Sequence, residues 1–236
     1  MNKKNELPNK IPVFPISNFI IFPKATVPLN IFEPRYIEMI DDAMKGNRII
    51  GMIQPKSFNQ NIPNLYSIGC AGKITSFNET EDGRYLIVLV GVSRFKITEE
   101  LKTQKLYRKC KVDFKDFYYD LEENNEEIKF SDLELIFKKL KSLFIRQGYV
   151  IDWKELQKQS LNQAINALAM ASPFSLEEKQ ILLETAGLNE RKKNLSKFYL
   201  PIVLIILITK LFNNQINPLS ANFVEYFLNK ELFSKK

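Results

Sequence analysis

Residues 28–36 read Pro28-Leu-Asn-Ile-Phe-Glu-Pro-Arg-Tyr36, an extended apolar run that passes directly into a helix start. Proline cannot donate a hydrogen bond to a neighbouring strand, so proline-marked apolar segments are confined to short edge strands and strand starts. Pro34 suits the first turn of a helix, where the N–H group that proline lacks would have no intrahelical partner. The stretch therefore predicts a short strand over about 26–31 and a helix that begins near Pro34.

The flanking segments extend this pattern into a β-rich unit with one early helix. Gly46 predicts the end of the helix, and Glu81-Asp82-Gly83 predicts a hairpin turn in which Gly83 takes positive φ. The run over 85–92 is apolar on both faces and is expected to be a central, covered strand, while Gly91 inside it predicts a bulge or bend. Several short strands with one helix predict a small, partly open barrel closed on itself. The predicted strands cover residues 11–15, 26–31, 48–54, 68–77, 84–97 and 107–117, the last as an outer strand.

The hydrophobic period changes from that of strands to that of helices near residue 130. Ser131-Asp-Leu-Glu134 and Ser175-Leu-Glu-Glu178 each match a capping box, in which the serine caps the helix and the glutamate reaches back to the serine N–H. A helix is predicted from each box, the second of them ending near Gly187. Another is predicted between them at about 152–171. Its buried side is expected to contain Leu156, Ala164, Ala167, Leu168 and Met170.

These patterns predict an α+β chain in three parts: a β-rich barrel at 11–117, a helical subdomain at 131–190 and a divergent tail at 191–236. The formal charge of +7 is concentrated in the tail, which carries eight Lys or Arg and two acids. Residues 1–190 carry 26 Lys or Arg and 25 acids. A nucleic-acid-binding domain is expected to carry a basic stripe on its folded body. The near-neutral body therefore argues against nucleic acid as a partner.

Histidine and the common catalytic motifs are missing from this sequence. It contains no histidine, which excludes Ser-His-Asp and Cys-His nucleophiles and histidine-ligated zinc. The nearest approach to a phosphate-binding loop, Gly46-Asn-Arg-Ile-Ile-Gly51, lacks the Lys and Ser or Thr that must follow. Adjacent acids such as Asp41 and Asp42 point to different sides. We predict no catalytic residue, no cofactor and no metal site, and hence no enzyme.

Cysteine usage and the N-terminus indicate the compartment. Cys70 and Cys110 lie far apart and outside any metal-type spacing, so they are expected to be unpaired core thiols in a reducing cytoplasm. The first residues contain no apolar run after their charges, so no secretory signal is expected.

Several phrases of the sequence resemble, in order and spacing, the substrate-binding N-terminal domain of the Lon protease family, in the form that occurs as a free-standing bacterial protein. The resemblance covers roughly residues 11–190 and implies a PUA-like pseudo-barrel followed by a helical bundle. It also implies a protein-quality-control module that lacks ATPase and protease parts. The phrases are Phe32-Glu-Pro-Arg-Tyr36, Leu65-Tyr-Ser-Ile-Gly-Cys-Ala-Gly-Lys-Ile-Thr75, Asp82-Gly-Arg-Tyr-Leu-Ile87, Gly91-Val-Ser-Arg-Phe95 and Asn166-Ala-Leu-Ala-Met-Ala-Ser-Pro-Phe-Ser175.

The function implied by this resemblance is non-catalytic binding of unfolded or damaged polypeptide, or service as an adaptor to a cytoplasmic ATP-dependent protease. Such binding needs an exposed apolar groove or an open sheet edge. Arg35 has two open interpretations, a ligand contact or a structural bridge from the helix to the barrel. Phe32 and Tyr36 are core anchors or ligand contacts. The candidates for a sticky surface are Phe19, Ile20, Ile21 and Phe22, which are either tucked under the barrel or partly exposed.

The tail departs from the family pattern. Its uncharged, largely apolar run Phe198–Ile208 has eleven residues, against roughly 17–25 needed to span a bilayer. Three alternatives remain open for it: a short membrane anchor or surface helix, a buried final helix, or a tail without a role. Two other functions follow as alternatives, namely an RNA-interacting PUA-like protein and a membrane-tethered scaffold.

Overall fold

The computed structural model describes residues 7–56, 63–121, 161–172 and 174–199. The chain divides into two compact units, residues 1–128 with 154–192 and residues 129–153 with 193–236. The strands among the described residues belong to the first unit, and of the second unit the described part is the helical segment 193–199. Three predicted features lie partly or wholly outside the described residues: the helix at Ser131, the first part of the helix at 152–171 with Leu156, and most of the apolar run Phe198–Ile208. The predicted three-part division remains a prediction.

The order of elements is that of an α+β fold, with strands and one helix first and further helices after them. The strands are β1 Lys10–Pro15, β2 Thr26–Ile31, β3 Ile49–Ile53, β4 Ile68–Glu79, β5 Tyr85–Leu101 and β6 Arg108–Asp113. The helices are α1 Pro34–Lys45, a 3-10 helix Lys115–Leu121, α2 Leu161–Ala171, α3 Leu176–Glu184 and α4, which covers residues 188–199.

Six strands form one sheet in the order β2-β5-β4-β3-β1-β6, and a further pairing between β5 and β6 closes it. The closed ring is therefore β5-β4-β3-β1-β6, and β2 lies outside it against the first half of β5. Strand β1 is parallel to β3, whereas the other pairs are antiparallel. The prediction of a barrel closed on itself is confirmed. The prediction that 107–117 forms an outer strand is wrong, because β6 pairs with β1 on one side and β5 on the other.

Strand β5 makes closure possible because it bends. Its register against β4 shifts between Gly91 and Ser93, and its register against β6 shifts between Ile97 and Glu99. Each shift adds local twist, so the first half pairs with β2 and β4 while the second half turns towards β6. The bulge predicted at Gly91 is thus confirmed. The barrel interior is filled by buried side chains of all five ring strands, namely Ile11, Val13, Ile49, Ile53, Ala71, Phe95, Cys110 and Val112.

Helix α1 forms where the sequence predicts it. Glu33 is the N-cap in extended conformation, Pro34 occupies the first turn and Gly46 is the C-cap. Its buried residues are spaced by three or four positions, so one stripe faces the barrel. That stripe consists of Tyr36, Met39, Ile40 and Ala43.

Helix α3 begins with the predicted capping box. The Ser175 hydroxyl accepts a hydrogen bond from the Glu178 N–H at 3.2 Å, and the Ser175 N–H donates to the Glu178 carboxylate at 2.9 Å. The helix ends at Glu184 with Thr185 as its C-cap, close to the predicted end near Gly187. The predicted stripe of α2 is correct at Ala164 and Leu168. It is wrong at Ala167 and Met170, which are half-buried, because the helix turns Ile165 and Ala169 inwards instead.

Candidate functional site

The segment expected to be sticky is tucked under the barrel. Ile20, Ile21 and Phe22 are at most 2% exposed, and Phe19 is half-buried. The segment is held in place from β5, since the Lys24 N–H donates to the Gly91 carbonyl and the Gly91 N–H donates to the Ala25 carbonyl, both at 2.8 Å. The structure thus decides between the two alternatives in favour of burial, and Ile20, Ile21 and Phe22 offer no free apolar surface.

The three candidates in the decisive stretch have different surroundings. Tyr36 is 5% exposed and its ring centroid lies 4.2 Å from that of Phe14, so it is a core anchor. Phe32 is 64% exposed, so its interpretation as a core anchor is wrong. Arg35 pairs with Glu33 at 2.7 Å and its guanidinium lies 4.5 Å from the Tyr36 ring centroid. Both contacts are local, so within the described residues Arg35 does not bridge α1 to the barrel.

A shallow apolar groove on the outer face of β2, β5 and β4 was missed by sequence reasoning. The register places Leu86 between Asn30 and Asn78, and Val88 between Pro28 and Ser76. Together with Leu29 and Ile87 these residues line a groove of about 330 Å³. Leu86 is 44% exposed. The run 85–92, expected to be covered on both faces, is therefore open on this face.

The groove borders a free sheet edge. Strand β2 pairs with β5 along its whole length and, within the described part of the chain, has no strand on its other side. Its outer backbone groups are thus available to another extended chain. Pro28 lacks an N–H group, which weakens this edge as a template. The exposed ring of Phe32 follows directly after β2 and extends the apolar surface beyond the end of the strand.

The adjacent acids of α1 have structural partners rather than a shared site. Asp41 accepts a hydrogen bond from the Tyr85 hydroxyl at 3.0 Å. Asp42 accepts one from the Tyr107 hydroxyl at 2.9 Å and pairs with the Lys105 ammonium at 2.7 Å. These bonds, Lys105 first, lower the pKa of the Asp42 carboxyl below its usual value. Both acids fasten α1 to the barrel, as expected for acids that point to different sides.

The densest polar network surrounds Arg94 of β5, which is 1% exposed. Its Nε and Nη2 atoms donate to the two carboxylate oxygens of Asp120 at 2.9 and 2.8 Å, a bidentate pair. The Arg94 backbone N–H also donates to Asp120 at 2.9 Å. Its Nη1 atom donates to the carbonyls of Leu183 and Thr185 at 3.0 and 2.6 Å. One buried guanidinium thereby joins the barrel, the 3-10 helix and the C-terminal end of α3, where a cation is favoured.

Two buried amides form a second joint between the barrel and α3. The Gln54 Nε2 atom donates to the Leu176 carbonyl and to the Gln180 Oε1 atom, both at 3.1 Å. The Gln180 Nε2 atom in turn donates to the Ile68 carbonyl at 3.0 Å. The two joints fix both ends of α3 to the sheet.

The two cysteines are buried and unpaired, as predicted. Burial raises the pKa of the Cys110 thiol to about 11 and raises that of Cys70 as well. Both therefore remain protonated and unreactive at neutral pH. Among the described residues, no group of three or more His, Cys, Asp or Glu side chains has the arrangement of a metal site. Nor is any helix of that part of the chain long and apolar enough to cross a membrane.

A family model described as the ATP-dependent protease La (LON) substrate-binding domain matches residues 10–198. The chain is 25% identical over 242 residues to a Lon protease of Dictyoglomus thermophilum, covering 98% of this chain and 29% of that protein. It is 26% identical over 198 residues to a Lon protease of Flavobacterium johnsoniae, covering 79% of this chain and 23% of that one. The chain thus spans less than a third of these relatives.

Two solved structures share the fold. One is the Lon N-terminal domain protein from Xanthomonas campestris, with a TM-score of 0.58 and 19% identity, covering 80% of this chain and 98% of that one. The other is the N-terminal domain of a Mycobacterium avium complex Lon protease, with a TM-score of 0.56 and 18% identity, covering 80% and 97%. At these identities the likeness establishes the fold.

Proposed function

The chain belongs to the family of ATP-dependent protease La (LON) substrate-binding domains, and from this premise we propose that it is a non-catalytic module that binds unfolded or damaged polypeptide. The match is confined to the substrate-binding part of Lon and does not include the ATPase or protease parts. We expect the purified chain neither to hydrolyse ATP nor to cleave peptides. Degradation of the bound polypeptide would then be carried out by an ATP-dependent protease acting in trans. The buried free thiols support a reducing cytoplasm as the location of this chain.

The observation that carries this proposal is the apolar groove beside the free edge of β2. A segment of unfolded chain is extended and has unpaired backbone groups, so it can add to β2 as a further strand. Its alternate side chains then face the groove, where Leu86 and Val88 supply apolar contact. Main-chain pairing is independent of side-chain identity, and Pro28 removes one donor. Both facts favour weak binding with broad selectivity.

Phe32 and Arg35 complete this surface. Both side chains are exposed, and they follow the end of β2 within four residues of its last position. An aromatic ring beside an extended chain adds contact area at a small entropic cost, and a guanidinium donates to backbone carbonyls. Of the candidates taken from the sequence, these two are accessible to a polypeptide. Tyr36 supports them from beneath through its contact with Arg35.

The test is binding of the full chain to one fluorescently labelled protein, in its native form and in a reduced, alkylated unfolded form. We expect the unfolded form to bind more tightly. Leu86→Thr and Phe32→Thr are expected each to weaken this binding about tenfold, since each removes one apolar anchor of about 1–2 kcal/mol. Leu106→Thr is the matched control, because Leu106 is 67% exposed and lies outside the groove. Equal affinity of the original chain and of all three variants for the unfolded protein would rule out the groove as the binding surface.

A further inference from the structure

A second cavity, distinct from the apolar groove, lies beside the Arg94 joint within the first unit. Its volume is about 340 Å³, within the roughly 300–1,000 Å³ range of small-molecule sites. Its lining includes charged side chains, unlike that of the groove. The side chains that matter for its chemistry are Arg94, Asp120, Asn162, Asn166 and Arg191.

The charges around this cavity do not balance. Arg94 and Asp120 neutralise each other through their bidentate pair. Arg191 is 5% exposed and, in the part of the chain that the structure describes, has no carboxylate in an ion pair with it. The buried part of the described lining therefore carries one positive charge, that of Arg191, that no buried carboxylate balances.

The hydrogen bonds of Arg191 leave donors unused. A guanidinium has five N–H donors. In Arg191, Nε donates to the Leu182 carbonyl at 3.2 Å, Nη2 to the Thr185 carbonyl at 3.2 Å and Nη1 to the Asn166 Oδ1 atom at 2.9 Å. Each terminal nitrogen keeps one N–H for which the described residues provide no acceptor. Carbonyls at a helix C-terminus offset part of the charge only, and burial together with nearby Arg94 lowers the pKa of Arg191 to about 10.

A relay of amides orients a further donor group in the same cavity. Asn166 uses its Oδ1 atom to accept from Arg191, which leaves its Nδ2 atom to donate to the Asn162 Oδ1 atom at 3.4 Å. Asn162 is therefore fixed with its oxygen towards Asn166, and its NH₂ group is the part left for a ligand.

We propose that this cavity binds a small oxyanion, a phosphate or a carboxylate, through the terminal N–H groups of Arg191 and the amide of Asn162. Two donors on one planar group suit two oxygens of one anion. The anion would also supply the negative charge that Arg191 lacks. This site is separate from the apolar groove and does not depend on polypeptide binding there.

The experiment is a titration of the full chain with inorganic phosphate at constant ionic strength, followed by the arginine Nε–H resonances and by calorimetry. We expect the Arg191 signal to shift and the melting temperature to rise as phosphate is added. Asn162→Leu is expected to weaken phosphate binding about tenfold, because it removes a donor to a charged ligand. Lys111→Gln removes one charge outside the cavity and is expected to bind as the original chain does.

Two peptides of one sequence, one ending in a free carboxylate and one in an amide, distinguish the sources of the anion. Competition with phosphate by the free-acid peptide alone would identify a polypeptide C-terminus as ligand, and competition by neither would identify a free anion. Both results support the site. The proposal is overturned if phosphate leaves the Arg191 signal unmoved, or if Lys111→Gln weakens binding as much as Asn162→Leu does. Arg191→Gln is a secondary variant, because Arg191 is buried and its loss could unfold the chain. The test of the proposal does not depend on this variant.

Discussion

Arg94 shows how much one buried side chain contributes when its partners come from separate parts of the chain. Its carboxylate partner lies 26 residues away and its carbonyl partners lie 89 to 92 residues away. All of its donors are used, and its guanidinium also lies 4.7 Å from the Phe117 ring centroid. The residue is thus a structural joint rather than a ligand contact.

Arg94→Met is expected to destabilise the chain by about 3–5 kcal/mol, because it leaves the Asp120 carboxylate buried without a counter-ion. The double variant Arg94→Met with Asp120→Asn is expected to recover part of this stability, because the side chain at position 120 is then neutral. Urea denaturation followed by circular dichroism measures both changes. Arg84→Met is the matched control, since Arg84 pairs with Asp82 on the surface and its loss should change stability little. Equal effects of Arg94→Met and Arg84→Met would contradict the assignment.

The Cys110 thiol gives a prediction on pH. Its pKa is raised by burial to about 11, so the folded state favours the neutral thiol. The stability from this preference is fully present below the unfolded pKa, near 8.5, and is lost as pH rises towards 11. Iodoacetamide at pH 8 is therefore expected to modify Cys110 slowly in the folded chain and rapidly in urea. Rapid alkylation without urea would show that the thiol is accessible, and Cys110→Ser would identify the reacting site.

At the scale of elements, β5 depends on a close approach of the preceding segment. A Cβ atom at Gly91 would lie 2.0 Å from the Phe22 carbonyl oxygen. The Phe22 backbone cannot move away from this Cβ without displacing the bulge of β5. Gly91→Ala is expected to cost about 3 kcal/mol through overpacking. Gly83→Ala is the control, because Gly83 has open space around it. An alanine there is destabilised only by the positive φ of 78°. Thermal unfolding should separate the two, and a larger effect at Gly83 would contradict the steric explanation.

The elements that the sequence predicts are those whose causes are local. Pro34 and Gly46 bound α1, Ser175 and Glu178 start α3, and Gly83 makes the hairpin. The position of β6 was not predictable in this way, because alternating polar and apolar residues describe a half-buried strand equally well at an edge or in a closed ring. Closure depends on the bend of β5, which pairs with β6 only beyond its bulge.

The candidate site was predictable only in part, for a similar reason. Four bulky apolar residues at 19–22 are typical of an exposed binding loop and equally of a buried core segment. Which of the two forms depends on whether other parts of the chain cover them. Arg191, far along the chain, stacks 4.4 Å from the Phe22 ring centroid. The groove at Leu86 likewise arises from a register between β2, β5 and β4 that no single segment specifies. Phe32 and Arg35 could be named as candidates from the sequence because they belong to a recognisable local phrase, and their role in binding stays a prediction.

At the scale of the whole molecule, the joints of Arg94 and Gln54 imply that the barrel and α3 behave as one cooperative unit. Both belong to the first compact unit, and α3 is tied to the sheet near its beginning by Gln54 and at its end by Arg94. Helix α3 has nine residues, too few to be stable in isolation. Its amides are therefore protected only as long as the sheet beneath it is intact.

Native-state hydrogen exchange tests this cooperativity. We expect the amides of α3 and of β5 to exchange with the same free energy of opening, because neither element opens without the other. Arg94→Met removes the joint at the end of α3 and leaves that of Gln54 near its start, so α3 should then open at lower free energy than β5. Surface variant Arg84→Met should leave the two equal. Separate opening of α3 in the original chain would show instead that packing of the helix, rather than the buried polar joints, sets its protection.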